Sequence, residues 1–166
     1  MKRIGLLSDT HGWLDEAVFR HFEHCDEVWH AGDIGTQDVL DQLNKFKPTR
    51  IVYGNIDDYT LRKQTHETLR WNCEGMDFMM THIGGKPGNY ATTIVNDLRK
   101  DPPQVFICGH SHLCLIKHDP RLKFLYMNPG AAGKHGFHHV RTILRFEVEN
   151  GKMAKLDAIK LGKRAG

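Results

Sequence analysis

Two short patterns in this chain are built from side chains that bind metal ions: Asp9-Thr10-His11 and Gly109-His110-Ser111-His112. In an extended segment, residues two apart project to the same face, so each pattern offers two donors to one point. Gly32-Asp33, Gly54-Asn55 and His82 add three more. The set then holds two carboxylates (Asp9, Asp33), one amide oxygen (Asn55) and four imidazoles (His11, His82, His110, His112). Mixed oxygen and nitrogen donors without thiolate suit manganese, iron, cobalt, nickel or zinc better than calcium, which takes oxygen alone. Seven donors exceed the three of a catalytic zinc. They suit two divalent ions sharing one carboxylate, about 3.5–4 Å apart as in two-metal hydrolases.

Each pattern alone has an ordinary reading. Asp9-Thr10-His11 makes a capped turn, Gly32-Asp33 and Gly54-Asn55 are turn dipeptides, and a lone histidine at a strand end usually satisfies itself locally. The joint placement argues otherwise, because every one of them follows an apolar run. Ile4-Gly5-Leu6-Leu7 precedes Asp9, Val28-Trp29-His30-Ala31 precedes Asp33, and Ile51-Val52-Tyr53 precedes Asn55. Phe78-Met79-Met80-Thr81 precedes His82, and Val105-Phe106-Ile107-Cys108 precedes His110. The C-terminal edge of such strands is where open α/β sheets bind ligands, and the intervening glycines let the backbone turn sharply. Of the remaining histidines, His21, His24, His66 and His118 read as solvated. His30 reads as a hydrogen-bond partner to a ligand, with Asp57 or Asp58 in a similar orienting role.

The elements that must position these residues follow from period and punctuation. Short β-branched runs alternate with amphipathic stretches, which predicts an α/β domain. Strands are expected over 3–8, 27–31, 50–53, 105–108, 113–118, 123–127 and 140–148, with hairpins joining 68–72 to 76–81 and 140–148 to 153–160. Helices are expected over 15–22, 36–46 with Thr36 as N-cap, and 89–100, stopped by Pro102-Pro103. One domain is expected over 1–162, with 163–166 a frayed tail.

Composition narrows the function classes. The 166 residues are 40% hydrophobic and 26% charged, too apolar for disorder, and contain no apolar run of membrane-spanning length. The apolar stretch after Lys2-Arg3 is too short for a secretion signal. The four cysteines form no C-x-x-C pair, so they are read as reduced thiols of a cytoplasmic protein. A net charge of +3 is no nucleic-acid footprint.

The ordered set Asp9-x-His11, Gly32-Asp33, Gly54-Asn55, His82, Gly109-His110-x-His112 resembles the calcineurin-like metallophosphoesterases. Chain length and the later Asn128-Pro129-Gly130 look like their small bacterial and archaeal phosphodiesterase branch, to which the retromer scaffold subunit is related. The resemblance covers residues 1–151. It implies a four-layer αββα sandwich: two mixed β-sheets flanked by helices, with a dimetal site at the strand ends. It assigns Asp9, His11 and His112 to one ion and Asn55, His82 and His110 to the other, with Asp33 bridging. Three positions depart from the family pattern: Ile56 stands where a histidine general acid is usual, Ile83 where glycine follows the ligand histidine, and Ala131 where serine is frequent.

The implied chemistry is hydrolysis of small phosphate esters by a hydroxide bridging two divalent ions, manganese first among them, with Asp33 and Asn55 also catalytic. Asn55 would ligate through its carbonyl oxygen and donate its amide to the phosphate. Without a general acid, phosphodiesters with acidic leaving groups are the expected substrates. The run 134–141, Lys-His-Gly-Phe-His-His-Val-Arg, is either a solvated loop or a source of cations beside the substrate. Two alternatives differ in class. A metal-poor interaction scaffold would have no reason to keep Asp9 and Asp33 together. A nuclease would need a basic groove larger than the small clusters at Lys45, Lys47, Arg50 and Lys160, Lys163, Arg164.

Overall fold

The computed structural model describes residues 1–165. Elements follow in the order β1 (Lys2–Leu7), α1 (Glu16–His21), β2 (Glu27–His30), α2 (Gln37–Phe46), β3 (Thr49–Ile51), α3 (Tyr59–Gln64), β4 (Thr68–Cys73), β5 (Met76–Thr81), β6 (Gly85–Lys86), β7 (Asn89–Tyr90), α4 (Val95–Lys100), β8 (Val105–Ile107), β9 (Cys114–His118), β10 (Leu125–Pro129), β11 (Val140–Glu149) and β12 (Lys152–Lys163). Two five-stranded sheets result, ordered β12-β11-β1-β2-β3 and β4-β5-β8-β10-β9. Both are mixed. In the first, β1, β2 and β3 run parallel and β11 is antiparallel to both β1 and β12; in the second, β5, β8 and β10 run parallel and the edge strands β4 and β9 antiparallel.

Alternation along the central strands explains the layering. Ile4, Leu6, Trp29, Leu144 and Phe146 of the first sheet meet Phe78, Met80, Val105, Ile107 and Met127 of the second in one buried cluster. The intervening residues Leu7, Val28, Ile51 and Ile143 turn outward onto Val18, Phe22, Val39, Leu40, Leu43 and Leu61 of the first three helices. Met79, Phe106 and Tyr126 turn outward onto Ile94 and Leu98 at α4. Strands buried on both faces read as continuous apolar runs, which is how these appear in the sequence. Trp29 anchors the middle layer edge-on to Trp71 and Phe78, with centroids 4.8 and 4.9 Å away.

Helix starts are set by capping carboxylates and a hydroxyl. Asp15 accepts the Ala17 N–H, Thr36 the Val39 N–H and Asp58 the Leu61 N–H. Three expectations need correction. The helix expected from residue 89 begins at Val95, because Asn89–Tyr90 pairs with Gly85–Lys86 and the Tyr90 hydroxyl is held by Asp119. α3 was not foreseen. The expected frayed tail is partly tied down: β12 runs through Lys163, and Arg164 donates its backbone N–H to His139 and its Nε to His138. Gly166 lies outside the described residues.

Candidate metal centre

Parallel β1, β2 and β3 end on the same side of the sandwich as β5 and β8, and the seven candidate donors follow those ends. Asp9, His11, Asp33 and His112 form one cluster and Asp33, His82 and His110 a second; within each, the donor atoms all lie within 4.8 Å of one another. Asp33 belongs to both. Its Oδ2 lies 3.3 Å from His11 Nε2 and 3.2 Å from His82 Nε2, while Oδ1 accepts the Ile56 N–H. Asp9 is divided in the same way. Oδ2 accepts the Ser8 hydroxyl and the His110 N–H, and Oδ1 faces His112 Nε2 at 3.1 Å. Asn55 is exposed beside them, on the wall shared by two cavities of about 400 and 310 Å³.

Five of the seven, Asp9, His11, Asp33, His110 and His112, have left-handed backbones, with φ between 46° and 72°. That region is costly for residues with a Cβ and clusters at functional sites. Two glycines make the convergence sterically possible. A Cβ at Gly54 would collide with the Asp33 carboxylate, and one at Gly109 with Ser8 Oγ and, at 2.8 Å, Asp9 Oδ2.

Surrounding residues hold the loops. The Asp57 carboxylate, buried at 3% exposure, accepts backbone N–H groups from Ile34, Gly35 and Gly54, tying the Asp33 loop to the Asn55 loop. Arg62 closes the same turn by donating to the carbonyls of Asp57 and Asn55. Asn128 donates to the Gly109 carbonyl and Ser111 Oγ, fixing the loop that carries His110 and His112. His30 makes no hydrogen bond to a candidate donor among the described residues. Its Nδ1 accepts the Gly32 N–H, so Nε2 donates to Thr10, whose hydroxyl continues to the Ile34 carbonyl. It therefore braces the backbone between Asp9 and His11 and before Asp33. Asp58 caps α3 and takes no part.

The electrostatics fit a cation. Asp9 Oδ1, His11 Nε2 and His82 Nε2 are buried without a hydrogen-bond partner. His82 Nδ1 donates to the Ala31 carbonyl at 2.7 Å, which leaves a lone pair on Nε2 facing the Asp33 oxygen. Burial alone would raise both carboxyls, yet the imidazoles around Asp9 and Asp33 hold them far below the usual carboxylate range. Burial would likewise lower His11, but the Asp33 and Asp9 carboxylates outweigh it and push the imidazole up to about 9. His82 is raised for the same reason, against its burial, whereas burial and the neighbouring His82 lower His110. Wherever the structure brings an anion and a lone pair together here, a positive charge is favoured between them. Oxygen and imidazole donors in this number accommodate divalent cations.

The run 134–141 divides. His135 stacks on His11 with centroids 4.7 Å apart, and His138 sets its ring edge against His112. Lys134 and Arg141 turn away onto the Trp13 ring, and Arg141 pairs with Asp15. The side chains that this run sets beside the site are thus imidazoles. His24, His66 and His118 are exposed and His21 is half-buried.

Residues 1–151 match the calcineurin-like phosphoesterase superfamily domain. A probable metallophosphoesterase of Methanothermobacter thermautotrophicus is 39% identical over 133 residues, 77% of this chain and 76% of that protein. One from Methanocaldococcus jannaschii is 29% identical over 164 residues, 95% and 81% of the two chains. Among solved structures, Vps29 of Entamoeba histolytica complexed with zinc has a TM-score of 0.73 at 14% identity, covering 98% of this chain and 99% of that one. At that identity the likeness is one of fold.

Proposed function

Because the chain belongs to the calcineurin-like phosphoesterase superfamily, we propose that it hydrolyses phosphate esters, phosphodiesters with weakly basic leaving groups foremost, at a centre holding two divalent cations. The observation that carries this reading is the sharing of Asp33: one carboxylate oxygen faces His11 on one side and His82 on the other. Asp9, His11 and His112 would hold one cation and Asn55, His82 and His110 the second, with Asp33 between them. Manganese is the first candidate, and iron, cobalt, nickel or zinc fit the same donors.

When bound, two such cations supply a water acidic enough to ionise near neutral pH and charge that offsets the phosphate's own. The protein's part is positioning. The Asn55 amide nitrogen is assigned as donor to a non-bridging phosphate oxygen, and the backbone bonds of Asp57 and Asn128 keep the donor loops from relaxing. Asn55 also divides the two cavities, one arm's room on each side, which favours a diester over a monoester. The Ile56 side chain, 45% exposed beside Asp33, has no proton to give a departing oxygen. Leaving groups must therefore depart as stable anions.

A scaffold without cations would bury Asp9 and Asp33, at 0% and 2% exposure, at a cost that favours ion binding instead. Three of the four cysteines are buried and all are free, which fits the reducing cytoplasm we assign. Elemental analysis of the purified protein, followed by hydrolysis of bis(4-nitrophenyl) phosphate with and without added Mn²⁺, tests the reading. Near two equivalents of metal and metal-dependent turnover support it, and a folded protein that takes up no metal and releases no nitrophenol refutes it.

A further inference from the structure

The mouth of the site is apolar on one flank. Phe137 is 99% exposed, Leu113 64% and Ile56 45%, and all three line the cavity of about 400 Å³ that opens onto Asp33, His11 and His112. Large apolar side chains gathered at one opening, rather than scattered singly, mark a surface that binds a ligand or a partner. No lysine or arginine lines this cavity, and its fixed charges are those of the candidate metal centre itself. The cavity on the other side of Asn55 is mixed: Arg62, Glu67, Thr81 and Thr93 line it together with Tyr53 and Ile83, so charged side chains outside the candidate centre are found only there. A volume of about 400 Å³ admits a small organic group rather than a polymer.

We infer that Ile56, Leu113 and Phe137 bind an apolar arm of the substrate, so that the enzyme takes phosphodiesters carrying one aromatic or aliphatic apolar group. The inference rests on the phosphoesterase reading and narrows its substrate class. Continuity with the donor cluster selects this occupant: an ester whose phosphorus sits at Asp33 must project one arm across Ile56 toward Leu113 and Phe137. In hydrolysis, water's oxygen bonds to phosphorus as the P–O bond to the departing arm breaks. The bonding pair leaves on that arm's oxygen, one proton of the water stays on the new phosphate oxygen, and the other goes to solvent. An aromatic arm suits both demands, since it packs on Phe137 and leaves as a delocalised oxyanion.

The test separates contact from leaving-group acidity. Protein loaded with Mn²⁺, its metal content confirmed, is titrated calorimetrically with methyl phenylphosphonate and methyl methylphosphonate, neither of which has an aryl ester to lose. The phenyl compound should bind about tenfold tighter. That ratio should fall about fivefold or more in Phe137→Ser and in Leu113→Ser, both exposed positions where the fold does not depend on the side chain. In kinetics, two aryl methyl phosphates with phenols of equal pKa, one alkylated and one sulfonated, should differ in kcat/KM in favour of the alkylated ester, less so in the variants. Equal binding of the two phosphonates by a protein that still hydrolyses diesters overturns this inference and leaves the phosphoesterase reading standing. Absence of metal uptake and of hydrolysis overturns both. A dimer in sedimentation that Phe137→Ser dissociates would assign the apolar flank to a second copy of the chain, against the inference.

Discussion

His82 Nε2 and Asp33 Oδ2 sit 3.2 Å apart without a hydrogen bond between them, because the ring proton of His82 is on Nδ1, which donates to the Ala31 carbonyl. A lone pair and a carboxylate facing each other repel unless a positive charge intervenes. Asp33→Asn keeps the shape and the bond from Ile56 while removing the charge. It should lower metal-dependent phosphodiester turnover by about 1,000-fold or more, equivalent to roughly 4 kcal/mol of transition-state stabilisation. Metal content by elemental analysis should fall with it, while far-UV circular dichroism stays that of the parent. Retention of metal and turnover would remove Asp33 from the centre.

Asp57 makes a prediction about the scaffold rather than the chemistry. Its carboxylate satisfies three backbone N–H groups from two different loops in a buried setting. Asp57→Ala leaves all three without a partner, at about 3 kcal/mol of folding stability by the usual cost of orphaned buried donors. Since those loops carry Asp33 and Asn55, metal affinity should also drop by about 10- to 100-fold. Urea denaturation and a Mn²⁺ titration read the two effects separately. Asp57→Asn, which keeps an acceptor oxygen, should lose less of both.

His30 sets an acid limit on the fold. It is fully buried, and burial depresses its imidazole to about 4 despite the surrounding carboxylates. The unfolded chain takes up a proton near pH 6.5 while the folded chain refuses it until about pH 4. The contribution of His30 is therefore complete above 6.5 and declines as pH falls through that window, by at most about 3.5 kcal/mol at roughly 1.4 kcal/mol per pH unit. Urea midpoints measured from pH 7 to 4 should show this slope. His30→Gln, which can still bridge Gly32 and Thr10, should be less stable at pH 7 and flatter across the range.

The fold and the clustering of the candidate donors were legible because both rest on strong local signals. Runs such as Val105-Phe106-Ile107, short and bounded by Pro103 and Gly109, read as strands buried on both faces, and a candidate donor directly after each run inherits the position of its strand end. Glu74-Gly75 announced its hairpin, and both have positive φ, 50° and 82°. What stayed hidden depends on partners distant in sequence. Asp57 could only be guessed as an orienting residue, since its acceptors' partners are backbone groups at Ile34 and Gly35. Asn89 and Tyr90 lie in a stretch with helical patterning, but their pairing with Gly85 and Lys86 and the Tyr90–Asp119 bond outcompete one more helical turn. The left-handed backbone at Asp9, His11 and Asp33 has no sequence signature, because Asp and His enter that region more often than most residues yet only in a minority of positions. Lys134 and Arg141 read either as part of a solvated loop or as cations for the substrate, and only the structure shows Trp13 and Asp15 claiming them.

Ile56 gives the prediction that bears most directly on mechanism. Its backbone N–H is committed to Asp33 Oδ1 at 3.1 Å, so the residue cannot be moved, but its side chain enters the cavity freely. Ile56→His keeps that backbone bond and introduces an imidazole able to protonate a departing oxygen. For alkyl phosphodiesters, where departure of a basic alkoxide limits the rate, turnover should rise by about 100-fold, the lower end of what a positioned general acid contributes. For nitrophenyl esters protonation matters little, so the dependence of log kcat on leaving-group pKa should become shallower in the variant. A new acid limb, reporting the imidazole's own ionisation, should appear in the pH profile for alkyl esters alone. If the slope is unchanged while metal content and fold are intact, the departing group lies on the far side of Asn55, and its exit is governed by the cavity lined by Arg62 and Thr81.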